Sequence, residues 1–111
     1  MNYIVCLTGG SEPLTATIIA DHFELCGDQV LWVTPTAKRN RVGDVAGTTT
    51  IITDSSGDPR GYGRKVGFGG AIIPAEYLAF TLEHSRLPRG KIIHKDGNRE
   101  NNNPSNLLEI G

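Results

Sequence analysis

Residues 91–110 read KIIHKDGNRENNNPSNLLEI. His94 is followed by Asp96-Gly97-Asn98, then by Asn101, Asn102, Asn103 and Pro104, and then by Asn106-Leu107-Leu108-Glu109. Lys91–His94 and Leu107–Ile110 are short runs with the apolar character of strands. Between them lies turn chemistry: glycine supplies positive φ, and Asp and Asn side chains bond their own backbone. Two strands of a hairpin with a polar loop are expected. Asp96 admits two readings, a turn residue capping the loop or an improvised oxygen ligand for a metal.

Upstream of this stretch, Pro74 suits a helix start, and a second helix is expected to run to about residue 86. Tyr77, Leu78, Ala79, Phe80 and Leu82 would make its buried side, and Pro88 prevents the helix from continuing. Residues 48–54 are β-branched and strand-like. Residues 55–61 form a turn with Gly57, Pro59 and Gly61, 62–66 alternate as a strand, 67–70 turn the chain, and 71–73 give a third strand. These hairpins would build a small antiparallel sheet. At the front, residues 2–7 are β-prone and Thr8-Gly9-Gly10 breaks them. Ser11 reads as a helix N-cap, with Glu12 and Pro13 in the first turn. Leu14, Ile18, Ile19, Phe23 and Leu25 recur at helical spacing, so a helix is placed at about 12–25, closed by Gly27. Residues 28–33 return to strand. This strand–turn–helix–strand order is not a nucleotide-binding fingerprint, because the Gly-Gly pair lacks both a following Lys-Ser/Thr and G-x-G-x-x-G spacing.

A length of 111 residues suits one compact domain, 1–111, with an acidic start over 1–30, a sheet and helix over 31–90 and the hairpin over 91–111. No run approaches a membrane span and the first twenty residues lack a basic n-region, so a cytoplasmic protein is expected. Two cysteines, Cys6 and Cys26, fit a reduced compartment, with a Cys6–Cys26 disulfide as the other possibility. The net charge of −1 conceals an asymmetry: residues 1–30 carry four acids and no Lys or Arg, whereas 31–111 hold all 11 basic residues against eight acids. Lys38, Arg39 and Arg41 cluster in one polar loop, and Arg86, Arg89, Lys91, Lys95 and Arg99 surround the hairpin. Each group reads either as phosphate contacts or as a solvated face. His22 and His84 read as surface or helix-end residues.

The 91–110 pattern resembles the ββα-metal hairpin of the HNH nucleases, in which Asp/His-His-x-Asp/Asn-Gly-Asp/Asn is followed by a loop and Asn-Leu. His94 takes the base position and Asn106 that of the central asparagine. More broadly, residues 25–110 are similar to HNH homing-type endonucleases of bacteriophages. The similarity runs through Trp32, Val42–Gly47, Gly61-Tyr62, Val66-Gly67, Tyr77-Leu78-Ala79-Phe80 and Arg86-Leu87-Pro88. The resemblance implies phosphodiester hydrolysis: a histidine takes the proton of water, an asparagine fixes the imidazole, and Mg²⁺ on oxygen ligands holds the phosphate.

Three departures accompany it. Ile93 stands before His94, where the family has a ligand. The sequence ends at Gly111, where the family has a final helix with a second ligand. Glu76-Tyr77 replace a His-Arg pair. The resemblance therefore implies an α+β protein with a small antiparallel sheet, two helices and a C-terminal HNH-like hairpin lacking the final helix. It further implies a degenerate metal site and a binding role in a bacterial host cell, toward DNA or a host protein, for example as an inhibitor of a defence nuclease. The alternative is an active Mg²⁺-dependent endonuclease whose ligands come from Asp96, Glu109 or a second subunit of a homodimer. His94 and Asn106 would then be catalytic.

Overall fold

The computed structural model describes residues 3–7, 10–34, 41–53, 59–98 and 101–110. Strand β1 (Ile4–Cys6) pairs antiparallel with β2 (Ser11–Pro13). Helix α1 (Ala16–His22) runs directly into β3 (Phe23–Cys26), which pairs with β4 (Gln29–Trp32). A three-stranded antiparallel sheet comes next, β5 (Thr48–Thr53), β6 (Pro59–Phe68) and β7 (Ala71–Pro74), with β6 central. Helix α2 (Ala75–His84) leads to the hairpin of β8 (Lys91–His94) and β9 (Leu107–Ile110), with a 3-10 turn (Pro104–Asn106) just before β9. The architecture is α+β, as expected.

The first third differs from its sequence reading. Residues 12–25 are not one helix. Ser11, Glu12 and Pro13 pair with β1, and the helix cap is Thr15, whose hydroxyl accepts from the Ile18 N–H at 3.2 Å. Phe23 and Leu25 share helical spacing with Ile18 and Ile19, yet they lie on a strand that places Phe23 opposite Trp32. Gly27, at φ +61°, turns the β3–β4 hairpin rather than ending a helix. Tertiary pairing overrides a weak local period here. The turn expected at 67–70 shortens to Gly69-Gly70, because β6 extends through Phe68. Of the turn expected over 55–61, Pro59 and Gly61 belong instead to β6, and residues 54–58 lie outside the described residues. Cys6 and Cys26 are free thiols.

The core is a continuous apolar cluster. Phe23, Trp32 and Phe68 form its aromatic centre, with ring centroids 4.5 Å apart for Phe23–Trp32 and 5.1 Å for Phe23–Phe68. Val5, Ile19, Val30, Val66, Ile73 and Leu78 fill the space around them. Burying a large apolar side chain contributes about 1.5–3 kcal/mol. Helix α2 is buried along 77–81, and Thr81 satisfies its hydroxyl on the Tyr77 carbonyl at 2.8 Å. It ends at Ser85 in left-handed geometry, φ 56°, which turns the chain toward the hairpin. The hairpin is seated through Leu107, which joins the core, and Ile92, packed against it.

Two glycines separate backbone strain from close packing. Gly43 and Gly47 both have φ +88°, but a Cβ at Gly43 would meet open space whereas one at Gly47 would lie 2.5 Å from the Lys65 carbonyl oxygen. Gly43→Ala is expected to cost about 1–2 kcal/mol for left-handed backbone alone. Gly47→Ala should cost measurably more, as read from urea midpoints.

Candidate functional site

The loop between β8 and β9 closes on one carboxylate and one amide. Asp96 N–H donates to Asn106 Oδ1 at 3.1 Å, and Asn106 Nδ2 donates back to Asp96 Oδ1 at 2.9 Å. Asn106 Nδ2 also reaches the Asn101 carbonyl at 3.0 Å, and the Asn106 carbonyl accepts from Lys95 N–H at 2.7 Å. Asp96 Oδ1 accepts a further bond from Asn98 N–H at 2.8 Å, and Asp96 Oδ2 accepts from Asn101 Nδ2 at 3.1 Å. The Asn98 N–H, then the Asn101 and Asn106 amides, hold the Asp96 carboxyl below its ordinary pKa, since each favours the ionised form. Gly97, at φ +75°, makes the tight turn beneath this pair.

His94 is held by a different asparagine. Its Nε2 lies 2.8 Å from Oδ1 of Asn102, which is 2% exposed. With Oδ1 accepting, Nε2 carries the proton. The bond expected from Asn106 to the imidazole is therefore made by Asn102, while Asn106 ties the loop to Asp96. Asparagines crowd this loop, and nothing in their residue type marks Asn102; its burial does. His94 lines a cavity of about 300 Å³ together with Glu76, Lys91, Ile92, Ile93 and Gly97.

A second polar cluster fastens the hairpin to the segment after α2. Arg86 Nη1 and Nη2 grip the Glu109 carboxylate at 3.2 and 3.0 Å, and the Arg89 N–H donates to the same group. The Arg86 guanidinium also lies over the Phe80 ring, 5.1 Å from its centroid. The Arg86 hydrogen bonds, then the Arg89 N–H, pull the Glu109 carboxyl down to about 2. Arg86, read from sequence as either a phosphate contact or part of a solvated face, clamps Glu109. Arg89, Lys91 and Lys95 are exposed beside the hairpin, and Arg41 is exposed in the segment after β4. Lys38, Arg39 and Arg99 lie outside the described residues.

Residues 74–110 match the family model described as HNH endonuclease. Over this third of the chain the sequence is similar to that family. The match takes in α2 and the whole hairpin, the C-terminal part of the broader similarity over residues 25–110. No curated protein and no solved structure matches the chain.

The HNH type implies a divalent cation, and the described side chains fit one poorly. Ile93 offers only hydrocarbon at the position before His94. Both oxygens of Asp96 accept loop hydrogen bonds, and both of Glu109 accept from Arg86. Among the described residues, no group of three or more His, Cys, Asp and Glu side chains converges.

Asn106 is 9% exposed, and Asn106→Ala leaves the Asp96 N–H and the Asn101 carbonyl without their partner. It should lower stability by about 2 kcal/mol in denaturant unfolding. Glu109 acts through pH. Its folded pKa of about 2 lies below the ordinary 4.5, so its contribution is complete above about 4.5 and lost as the pH falls through about 2. Glu109→Gln should be less stable than the parent at pH 7, with the difference closing across that window in a pH series of urea titrations.

Proposed function

We propose that the chain binds nucleic acid on its HNH-type hairpin and does not hydrolyse it. The observation that supports this most is the state of the hairpin's described carboxylates: Asp96 and Glu109 are committed to internal hydrogen bonds, while the base-position His94 stays fixed by Asn102. A scaffold of this kind keeps its shape and its cations without a strong oxygen donor beside the imidazole. Arg89, Lys91 and Lys95 contact phosphates, and Lys38, Arg39, Arg41 and Arg99 extend that contact along the strand. Asp96 acts as a loop organiser rather than a metal ligand, and His94 with Asn106 is a retained constellation. A bacteriophage origin and a cytoplasmic setting in a bacterial host belong to the same proposal, on the strength of the sequence resemblance.

The rival partner is a host protein, such as a defence nuclease inhibited by a DNA-like acidic surface. The observation in its favour is that Glu12, Asp21, Glu24 and Asp28 are all exposed. Binding of labelled DNA over a salt series decides between the two. Three to seven phosphate contacts predict a log–log slope of roughly −2 to −6. A flat salt response, or no DNA binding together with a co-purifying protein, favours the protein partner.

Hydrolysis is tested separately with supercoiled plasmid in Mg²⁺, Mn²⁺ or EDTA. No metal-dependent nicking is expected. Nicking that disappears in His94→Ala would contradict the proposal, and would mean that the ligands come from elsewhere, a second copy of the chain included.

A further inference from the structure

A second cavity, of about 200 Å³, lies beside the one that contains His94 and shares Glu76, Lys91 and Ile92 with it. Tyr3, Pro74, Tyr77, Pro88 and Gly90 complete its walls. Tyr3 is fixed there by the β1–β2 pair, whose register continues through the Leu14 N–H to the Tyr3 carbonyl at 2.8 Å. The Tyr3 and Tyr77 rings meet edge to face, 5.1 Å between centroids. Tyr77 is 8% exposed, and its hydroxyl is buried with no hydrogen-bond partner among the described residues. Burial first, then the neighbouring Glu76 charge, raises the Tyr3 pKa. Burial, then Tyr3, raises that of Tyr77. The two phenols and the Glu76 carboxylate therefore act on one another at this cavity.

An orphaned buried hydroxyl is costly and calls for a partner. Nothing in the HNH-type hairpin explains why a phenol should stand there. We propose that this cavity takes one unpaired nucleobase of a single strand whose backbone passes over Lys91. The inference rests on the nucleic-acid reading above.

Four features select this ligand. Pockets for drug-sized molecules run to about 300–1,000 Å³, so this one fits a fragment the size of a single heterocycle. Aromatic and proline walls offer faces for a planar ring, and base–aromatic stacking is sequence-tolerant. The Glu76 carboxylate can accept from an exocyclic amino group, and a small turn of the Tyr77 ring brings its buried hydroxyl to a ring nitrogen or carbonyl oxygen. The exposed Lys91 ammonium between the two cavities suits a phosphate, whereas the Glu76 charge disfavours a free anion inside.

The test is a fluorescence-anisotropy titration of the full chain with a labelled single-stranded DNA and with the same length carrying abasic sites. The intact strand should bind about 5- to 150-fold more tightly. Tyr77→Phe keeps the ring and removes only the hydroxyl; it should cut that preference by about 5-fold. Tyr3→Ala should remove most of the preference, with urea midpoints confirming that both variants fold. Equal affinity of the parent for intact and abasic strands would overturn the inference, the cavity then holding water only, and would leave backbone binding standing. An undiminished preference in both variants would overturn it as well, because the base would be read elsewhere. Binding of neither strand would overturn both this inference and the reading on which it rests.

Discussion

The reciprocal bond between Asp96 and Asn106 sets the geometry on which the rest of the site depends. Two groups ten positions apart in sequence exchange hydrogen bonds across the loop and draw in Asn98 and Asn101. Because the carboxylate is ionised, these bonds are stronger than neutral ones and hold a long polar loop in one shape. That shape sends Asn102 inward to the imidazole and starts β9 with Leu107 against the core. The cost of this arrangement falls on chemistry. A carboxylate that organises a loop through both oxygens has fewer lone pairs left for a hard cation.

The same logic extends along β9. Glu109 is satisfied by Arg86 and the Arg89 N–H, and Arg86 in turn rests on Phe80 of α2. This chain of contacts joins helix and hairpin, the two parts covered by the HNH-type match. Among the described residues, Arg89, Lys91 and Lys95 are exposed beside the hairpin together with Asp96, and Glu76 lines the adjoining cavities. A surface of this kind is suited to a phosphate backbone, and the aromatic cavity at Tyr3 and Tyr77 lies within the same groove.

Much of this was legible in the sequence, and the reasons are physical. Lys91–His94 and Leu107–Ile110 announce their strands because short apolar runs flank an Asp-Gly turn, and α2 announces itself through Pro74 and the run 77–82. The front of the chain misled because Leu14, Ile18, Ile19, Phe23 and Leu25 satisfy a helical period while Phe23 and Leu25 also satisfy a strand period of two. Only the pairing of Phe23 with Trp32 decides between them. The role of Arg86 depended on a residue 23 positions away, and that of Asn102 on burial among chemically identical neighbours. Neither local pattern nor residue type encodes such facts. The Tyr3–Tyr77 cavity joins residues far apart in the chain and had no sequence signal at all.

The most direct test of the central claim is a Mn²⁺ titration followed by proton–nitrogen NMR of the full chain, including the imidazole resonances. A bound paramagnetic ion broadens signals near it selectively. The account predicts that His94, Asp96 and Glu109 broaden no more than exposed residues elsewhere. Selective loss of the His94 imidazole and Asp96 amide signals at low Mn²⁺ would contradict it, and would show a metal centre assembled from these residues after all.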